Sequence, residues 1–122
     1  MPLIKIETNQ ALSANESQKL CENLSRLAAE VLGKPEQYVQ VVLHQNPDQH
    51  LFIMHGGLPG GAGHAAFVDV RSIGGLSPQV NRVLAKRICA LLAEVDVPGE
   101  RVYLNFTDVS ASNWGHNGAI FG

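Results

Sequence analysis

The stretches LIKIE (residues 3–7) and FVDVR (residues 67–71) share one alternation of apolar and polar side chains. A period of two is typical of a strand with one buried and one wetted face. Aligning Pro2 with Ala66 superposes residues 2–42 on 66–106 without a gap. The overlap holds eight identities in 41 positions, where unrelated pairing gives about three. The sequence therefore predicts an internal repeat of two similar units.

A helix is predicted after each of these strands. Ser13 and Glu16 have the spacing of a capping box, and Ser77 precedes Pro78, which suits the first helical position. Apolar residues recur at i, i+4, i+7, i+8 and i+11 in both helices, so each helix is expected to bury one stripe. These residues are Leu20, Leu24, Leu27, Ala28 and Val31 in the first helix, and Leu84, Ile88, Leu91, Leu92 and Val95 in the second.

Glycine and proline mark the expected helix ends, Gly33 with Pro35 in the first copy and Pro98 with Gly99 in the second. Each copy then closes with a second strand, over residues 38–44 and 102–107. Each copy is thus a βαβ unit, whose parallel strands need a right-handed crossover. The predicted fold class is α/β, in the form of an α+β sandwich: a four-stranded mixed sheet with both helices on one face.

The sheet face away from the helices is expected to be polar. Its side chains are Lys5, Glu7, Gln40, Asp69, Arg71 and Asn105. Charge reverses between the two copies, so Lys5 is expected to pair with Asp69, and Glu7 with Arg71, across neighbouring strands.

The helices of a single subunit cover only one side of the predicted sheet. The polar face on the other side can be hydrated but cannot form a second hydrophobic core. Short strands predicted over 51–54 and 119–121 are candidates to pair with the edges of neighbouring subunits, which removes the hazard of bare strand edges. We therefore expect a closed homo-oligomer.

Length, charge and the positions of apolar residues and cysteines exclude several classes of protein. The 122 residues suffice for one domain, residues 1–122, and nine basic residues against eleven acidic ones form no stripe for nucleic acid. No stretch has the length of a membrane span, and the first residues lack a signal peptide, so the expected location is the cytoplasm. Cys21 and Cys89 are expected to be reduced thiols buried in helices rather than a disulfide or zinc site.

Motifs for dinucleotide binding and for metal binding are not supported by their position in the sequence. The spacing Gly61-x-Gly63-x-x-Ala66 fits a dinucleotide fingerprint, but it leads into a strand instead of opening a helix. Neither helical His-x-x-x-His spacing nor a neighbouring cysteine supports a metal site at the five histidines, which are residues 44, 50, 55, 64 and 116. No metal and no cofactor are expected.

The amino terminus is the unusual candidate. Pro2 follows Met1, a context in which methionine is normally removed, and this would leave a secondary amine at the chain end. The pKa of an α-amino group is near 8, and an apolar pocket or a nearby cation lowers it, which makes the amine a usable general base. Alternatively, proline merely suits the start of an edge strand. Lys34 likewise has an ordinary explanation, since a cation complements the end of a helix dipole.

The segments MPLI (1–4), GKP (33–35) with Tyr38, SIG (72–74) and RVYLN (101–105) before Asp108 resemble the macrophage migration inhibitory factor family of the tautomerase superfamily. The resemblance spans nearly the whole chain and implies a trimer around a solvent channel. It also implies keto–enol tautomerisation of a small aromatic 2-keto acid, of phenylpyruvate or dopachrome type. The alternative is a cytokine-like protein that binds a receptor and has a vestigial pocket, and the family is also known to leave cells without a signal peptide.

The resemblance assigns roles residue by residue. Pro2 would be the catalytic base, and Lys34 with the backbone of Ile73 would hold the substrate carboxylate. A pocket between subunits would be lined by Tyr38, Tyr103, Asn105, Trp114 and Phe121.

Three departures from the family pattern matter. Trp114 stands where a small aliphatic residue is usual and His116 where an aromatic is usual, which reshapes the pocket mouth. Residues 65–68 lack the family's Cys-x-x-Cys, so thiol oxidoreductase activity is not expected. If Met1 stays attached, Pro2 is an amide and the protein should be weakly active.

Overall fold

Two βαβ units form the framework of the structure, a computed structural model that describes residues 1–47, 53–54, 58–59 and 63–122. The strands are β1 (Pro2–Thr8), β2 (Gln40–Gln45), β3 (Ile53–Met54), β4 (Leu58–Pro59), β5 (Ala66–Ser72), β6 (Val102–Asp108), β7 (Gly115–His116) and β8 (Ala119–Ile120). The helices are α1 (Ala14–Leu32) and α2 (Pro78–Ala93), and short 3₁₀ turns cover Glu36–Tyr38, Gly99–Arg101 and Ala111–Asn113.

The main sheet has the strand order β2-β1-β5-β6. Strand β1 runs parallel to β2 and antiparallel to β5, and β5 runs parallel to β6. This confirms the predicted four-stranded mixed sheet, because each βαβ unit contributes one parallel pair and the two units meet antiparallel.

The core lies between the sheet and the two helices. Ile4 and Ile6 of β1 and Val68 of β5 are fully buried, as are Leu24 of α1 and Leu84 of α2. Burying side chains of this kind stabilises the fold by about 1.5–3 kcal/mol each. The predicted helix stripes are confirmed at most of their positions, whereas Val31, Leu91 and Val95 are only partly buried at the edge of the same core.

Both helices begin as predicted. The Oγ of Ser13 accepts a hydrogen bond from the backbone N–H of Glu16 at 3.0 Å, and the Ser13 N–H donates to the Glu16 carboxylate at 3.0 Å, which completes the capping box. The Ser77 hydroxyl accepts from the N–H of Val80 at 3.1 Å, and Pro78 opens α2. Helix α1 ends at Gly33, whose φ of 65° is left-handed and favours glycine.

The expected end of α2 at Pro98 and Gly99 is wrong. The helix ends at Ala93, and Asp96 adopts a left-handed conformation with φ of 63°. The N–H of Val97 donates to the Leu92 carbonyl at 3.0 Å, and the N–H of Asp96 donates to Ala93 at 3.1 Å. This pair of bonds is a Schellman closure in which aspartate takes the position that glycine usually occupies.

The second strand of the first unit also starts later than predicted. Tyr38 lies in a 3₁₀ turn rather than in a strand, because its N–H donates to the carbonyl of Pro35 at 3.0 Å and β2 begins only at Gln40. The gapless alignment of the two copies sets Gln40 on Leu104, whereas in the sheet Gln40 takes the place equivalent to Tyr103. The gapless repeat is therefore out of register by one position in the last strand of each unit.

The polar face points away from the helices, as predicted, but its charge pairing differs. Asp69 lies opposite Lys5 in register, yet its carboxylate pairs with Arg71 of the same strand, with Nε and Oδ2 3.1 Å apart. The expected pairing of Glu7 with Arg71 is wrong. The antiparallel register sets Glu7 against Phe67, and its carboxylate instead lies 3.9 Å from the ring of His44.

The short strands pair within the chain. Of the strand predicted over 51–54, residues 51 and 52 lie outside the described residues, and β3 pairs antiparallel with β4. Strand β8 pairs with β7 across Asn117 and Gly118, whose φ values of 52° and 77° are typical of a tight hairpin turn. Pairing of either segment with a neighbouring subunit stays a prediction.

The remaining expectations concern isolated residues. Cys21 and Cys89 are free thiols in α1 and α2, but each is half-buried rather than buried, and burial raises the pKa of both. Gly61, His50 and His55 lie outside the described residues, whereas Ala66 opens β5 and not a helix. Within the described parts of the chain, no helix is long and apolar enough to cross a membrane.

Candidate functional site

The amino terminus lies at one end of the sheet, where β1 and β2 begin and β5 ends. Pro2 is fully buried, and its partner on β5 is Ser72, which is also fully buried. The apolar environment comes from the alternation of β1, which turns Pro2, Ile4 and Ile6 to the helix side.

Lys34 reaches the same end of the sheet from the turn that follows α1. Its Nζ lies 3.5 Å from the carbonyl oxygen of Ile73, the residue that follows Ser72. The left-handed Gly33 turns the chain there, and the N–H of Lys34 closes the helix on the carbonyl of Ala29 at 3.2 Å. The predicted neighbours Lys34 and Ile73 are therefore brought together beside the start of β1.

The electrostatics of the chain end follow from this position. Burial is the larger cause that lowers the pKa of the terminal amine of Met1 below its ordinary value of 8.0, and the positive charge of Lys34 is the second. Both effects favour the neutral amine over the ammonium form. With Met1 present the titrating group is the Met1 amine, and the nitrogen of Pro2 is part of a peptide bond.

Ser72 has a role at the site that the sequence did not assign to it, although it lies in the segment SIG (72–74). Its hydroxyl donates to the carbonyl of Gly74 at 2.6 Å, and both Gly74 and Gly75 have left-handed φ values of 72° and 85°. This tight turn presents the Ile73 carbonyl to Lys34. The signal for it was Ser72 at the end of an alternating strand, with two glycines, Gly74 and Gly75, after the intervening Ile73, a pattern typical of a turn closed by a hydroxyl.

The carboxyl-terminal segment closes over the same end of the sheet, on its outer face. The N–H of Val109 donates to the Ser72 carbonyl at 2.9 Å, which leads the chain back towards Trp114. The N–H of Phe121 donates to the Trp114 carbonyl at 3.1 Å, and its ring stacks on His116 with centroids 6.3 Å apart. The Asn117-Gly118 pair was the sequence signal for this hairpin.

Trp114 lines a groove of about 370 Å³. The other lining residues are Leu3, Gln40, Arg71, Val109, Asn113 and Gly115. Leu3, Gln40 and Arg71 stand side by side in register on β1, β2 and β5, and no motif in the sequence marks them as a group.

Three of the predicted residues lie away from the cluster formed by Pro2, Lys34 and Ile73 within one chain. Tyr103 and Asn105 lie on the outer face of β6, beside Phe67 and Asp69, whereas Pro2 faces the helices on the other side of the sheet. Tyr38 lies in the turn four residues after Lys34, and its side chain is 48% exposed.

The arrangement can do two things chemically. The Lys34 ammonium next to a backbone carbonyl can bind a carboxylate, and an amine whose pKa is lowered by burial and by that cation can accept a proton. Among the described residues, no group of three or more His, Cys, Asp or Glu side chains could hold a metal ion.

Comparison with known proteins places this geometry in a family. The model of the macrophage migration inhibitory factor (MIF) family matches residues 1–122. A MIF homolog of Trichuris trichiura is 37% identical over 122 residues, which cover 99% of this chain and 100% of that protein. A MIF homolog of Brugia malayi is 35% identical over 123 residues, which cover 100% of both chains.

The solved structures agree with the sequence comparison. The crystal structure of a MIF homologue from Prochlorococcus marinus matches with a TM-score of 0.85 and 31% identity, covering 98% of this chain and 99% of that one. The Toxoplasma gondii MIF structure also has a TM-score of 0.85, at 29% identity. The chain therefore belongs to the macrophage migration inhibitory factor family, which is part of the tautomerase superfamily.

Proposed function

We propose that this protein is a keto–enol tautomerase of phenylpyruvate type, in which the amine of Pro2, freed by removal of Met1, is the general base. Family membership supports the reaction class. The observation that carries the proposal is the position of the chain end: Pro2 is fully buried, and the terminal amine of Met1 is partly buried and close enough to Lys34 for its charge to lower the pKa of that amine.

The proposed reaction moves one proton. Lys34 binds the carboxylate of the 2-keto acid, and this places the carbon next to the ketone beside the amine of Pro2. The neutral amine takes a proton from that carbon, the electrons of the broken C–H bond form the enol double bond, and the protonated amine returns the proton to the carbonyl oxygen. General acid–base catalysis of this kind accelerates a reaction by about 10²–10⁴-fold, and orientation by Lys34 supplies further acceleration.

The proposal includes a homotrimer, because one chain does not assemble the whole set of implied residues. Tyr103 and Asn105 lie on the outer face of β6 opposite Phe67 and Asp69, five and three positions along β5 from Ser72, the partner of Pro2. We therefore infer that they line the pocket from a neighbouring subunit. Three exposed aromatic side chains, Tyr38, Tyr103 and Phe121, would be covered in such an assembly. A cytoplasmic location and the lack of a cofactor are part of the same proposal.

The direct test is an assay with hydroxyphenylpyruvate. We expect Met1-free protein to tautomerise it, whereas the Pro2→Gly variant and protein that retains Met1 should both be slower by about 10²-fold or more, the range expected for loss of a general base. Mass spectrometry of each preparation establishes whether Met1 is present. Equal rates for Met1-free protein and Pro2→Gly would remove Pro2 from the mechanism.

A mixing experiment tests the shared pocket. Pro2→Gly and Asn105→Ala proteins are denatured together, refolded and assayed. If each site takes Pro2 from one subunit and Asn105 from the next, random mixing restores about one quarter of the sites. The same variants refolded separately are the control, and activity no higher than their average would place all site residues in one chain.

Signalling through a protein receptor is the second candidate function. It is supported by the relatives in Meriones unguiculatus and Rattus norvegicus, both named macrophage migration inhibitory factor, at 34% and 32% identity. A cell-migration assay with Pro2→Gly separates the two candidates, because a signalling role independent of catalysis survives this substitution.

A further inference from the structure

The groove beside Trp114 has the composition of a binding site for an anionic, flat ligand. Leu3 and Val109 contribute apolar surface, Trp114 contributes an aromatic face, and Arg71 is the only charged side chain among the described residues that line the groove. Its volume of about 370 Å³ falls in the range of small-molecule sites, about 300–1,000 Å³.

Arg71 is held in position and still has donors available. Its Nε donates to Oδ2 of Asp69 at 3.1 Å, while its side chain is 51% exposed and that of Asp69 only 13%. Within the described parts of the chain, Nε is the only side-chain nitrogen of Arg71 that has a hydrogen-bond partner. The two terminal nitrogens of the guanidinium group are therefore free to bind a carboxylate in a bidentate manner.

The groove begins next to the proposed base. Leu3 follows Pro2 in the chain, and Arg71 precedes Ser72, the partner of Pro2 across the sheet. Leu3 and Arg71 point to the outer face of the sheet, whereas Pro2 and Ser72 face the helices, so a ligand with one end at Lys34 passes around the start of β1 to place its other end in the groove. The cations Lys34 and Arg71 thus flank the start of β1 from two sides.

We propose that Arg71 and Trp114 form a subsite for a second acidic group, so that the preferred substrate is a 2-keto acid carrying a carboxylate at its far end. The inference rests on the proposed function for the 2-keto acid end. Arg71 binds the distal carboxylate and Trp114 stacks on the body of the molecule.

Trp114 also provides the measurement, because it is the only tryptophan in the chain. Its fluorescence reports binding in the groove without any turnover. The probes are 3-phenylpropanoate, which has one carboxylate, and 3-(4-carboxyphenyl)propanoate, which adds a second one at the far end. Neither has a ketone, so neither can react.

We expect the wild-type protein to bind the dicarboxylate more tightly. Arg71→Met should weaken dicarboxylate binding by about tenfold, and binding of the monocarboxylate much less, since a half-exposed charge contributes at the lower end of the range for charge-assisted hydrogen bonds. Asp69→Asn should strengthen dicarboxylate binding, because it removes the negative charge beside Arg71. Arg82→Met, on the exposed side of α2, removes the same charge elsewhere and should change neither probe.

Opposite effects of Arg71→Met and Asp69→Asn cannot come from general damage to the fold. Equal weakening of both probes by Arg71→Met, no effect of it, or no binding of either probe to the wild type would overturn the inference. A wild-type protein that binds the dicarboxylate selectively but tautomerises no keto acid would instead refute the proposed function and leave the subsite standing.

Discussion

Replacing Lys34 with methionine tests the electrostatic core of the proposed mechanism. Methionine keeps most of the length and apolar surface of the side chain, and it removes the ammonium group that lies 3.5 Å from the Ile73 carbonyl. Since this contact is a weak hydrogen bond, most of the donor capacity of the ammonium group is left for a ligand.

The expected loss follows from the chemistry of that contact. A hydrogen bond between charged groups contributes about 1.5–3 kcal/mol, and every 1.4 kcal/mol is about tenfold in affinity. Because Lys34 is only partly buried, solvent screening keeps the effect near the lower limit. We therefore expect the KM for hydroxyphenylpyruvate to rise by about 10–30-fold.

The same substitution should shift the pH profile of kcat/KM, and the direction of the shift follows from the charge of Lys34. The neutral amine is the active form, so activity rises as pH rises through the pKa of the amine. Lys34 lowers the pKa of the terminal amine of Met1, and by its position it should act on the amine of Pro2 in the same way. Its removal therefore moves the acidic limb of kcat/KM to higher pH, although burial, the larger cause, remains.

Steady-state kinetics between pH 5 and 9 on Met1-free protein measure both effects. Lys86→Met in α2 is the matched control, because it removes one exposed lysine far along the helix. The proposed carboxylate site would be wrong if the KM stays within twofold of the wild type and the acidic limb of kcat/KM does not shift. Lys34 would then interact only with the dipole at the end of its helix.

Three further predictions concern the framework and are read as midpoints of urea unfolding. Ser13→Ala breaks the side-chain bond of the capping box and should lower the free energy of unfolding by about 1 kcal/mol; no change would mean that the end of α1 is frayed. Asp96→Gly should raise it by about 0.5–1 kcal/mol, because glycine adopts the left-handed φ of 63° without strain; a lower stability would contradict this. Leu24→Ala, at a fully buried position, should cost about 2–5 kcal/mol, and a loss below about 1 kcal/mol would show that the core closes around the gap.

The framework was readable from the sequence because its signals are local. The alternation in β1 and β5, the capping box at Ser13 and the stripes of the two helices each depend on residues within a few positions of one another. Where the outcome depended on competition between signals, the prediction was wrong. Pro98 and Gly99 are strong breakers, yet α2 stops earlier because Asp96 accepts a conformation that usually needs glycine.

The site was readable only in part, because proximity across the sheet depends on register. The sequence alone could not bring Lys34 to Pro2. The antiparallel pairing of Pro2 with Ser72 does so, by placing Ile73 at the chain end. The predicted pairing of Glu7 with Arg71, which was based on the charge reversal between the copies, is wrong for the same reason. In the true register Glu7 lies opposite Phe67, and Arg71 lies opposite Leu3.

The duplicated framework has two equivalent strand beginnings, at Pro2 and at Ala66. A polypeptide has only one amino terminus, however, and Ala66 is joined to the preceding residue by a peptide bond. Chain polarity therefore breaks the twofold symmetry of the scaffold and gives a terminal amine to one half only. The other half contributes groups around the chain end, such as Ser72 and the Ile73 carbonyl, but no terminal amine.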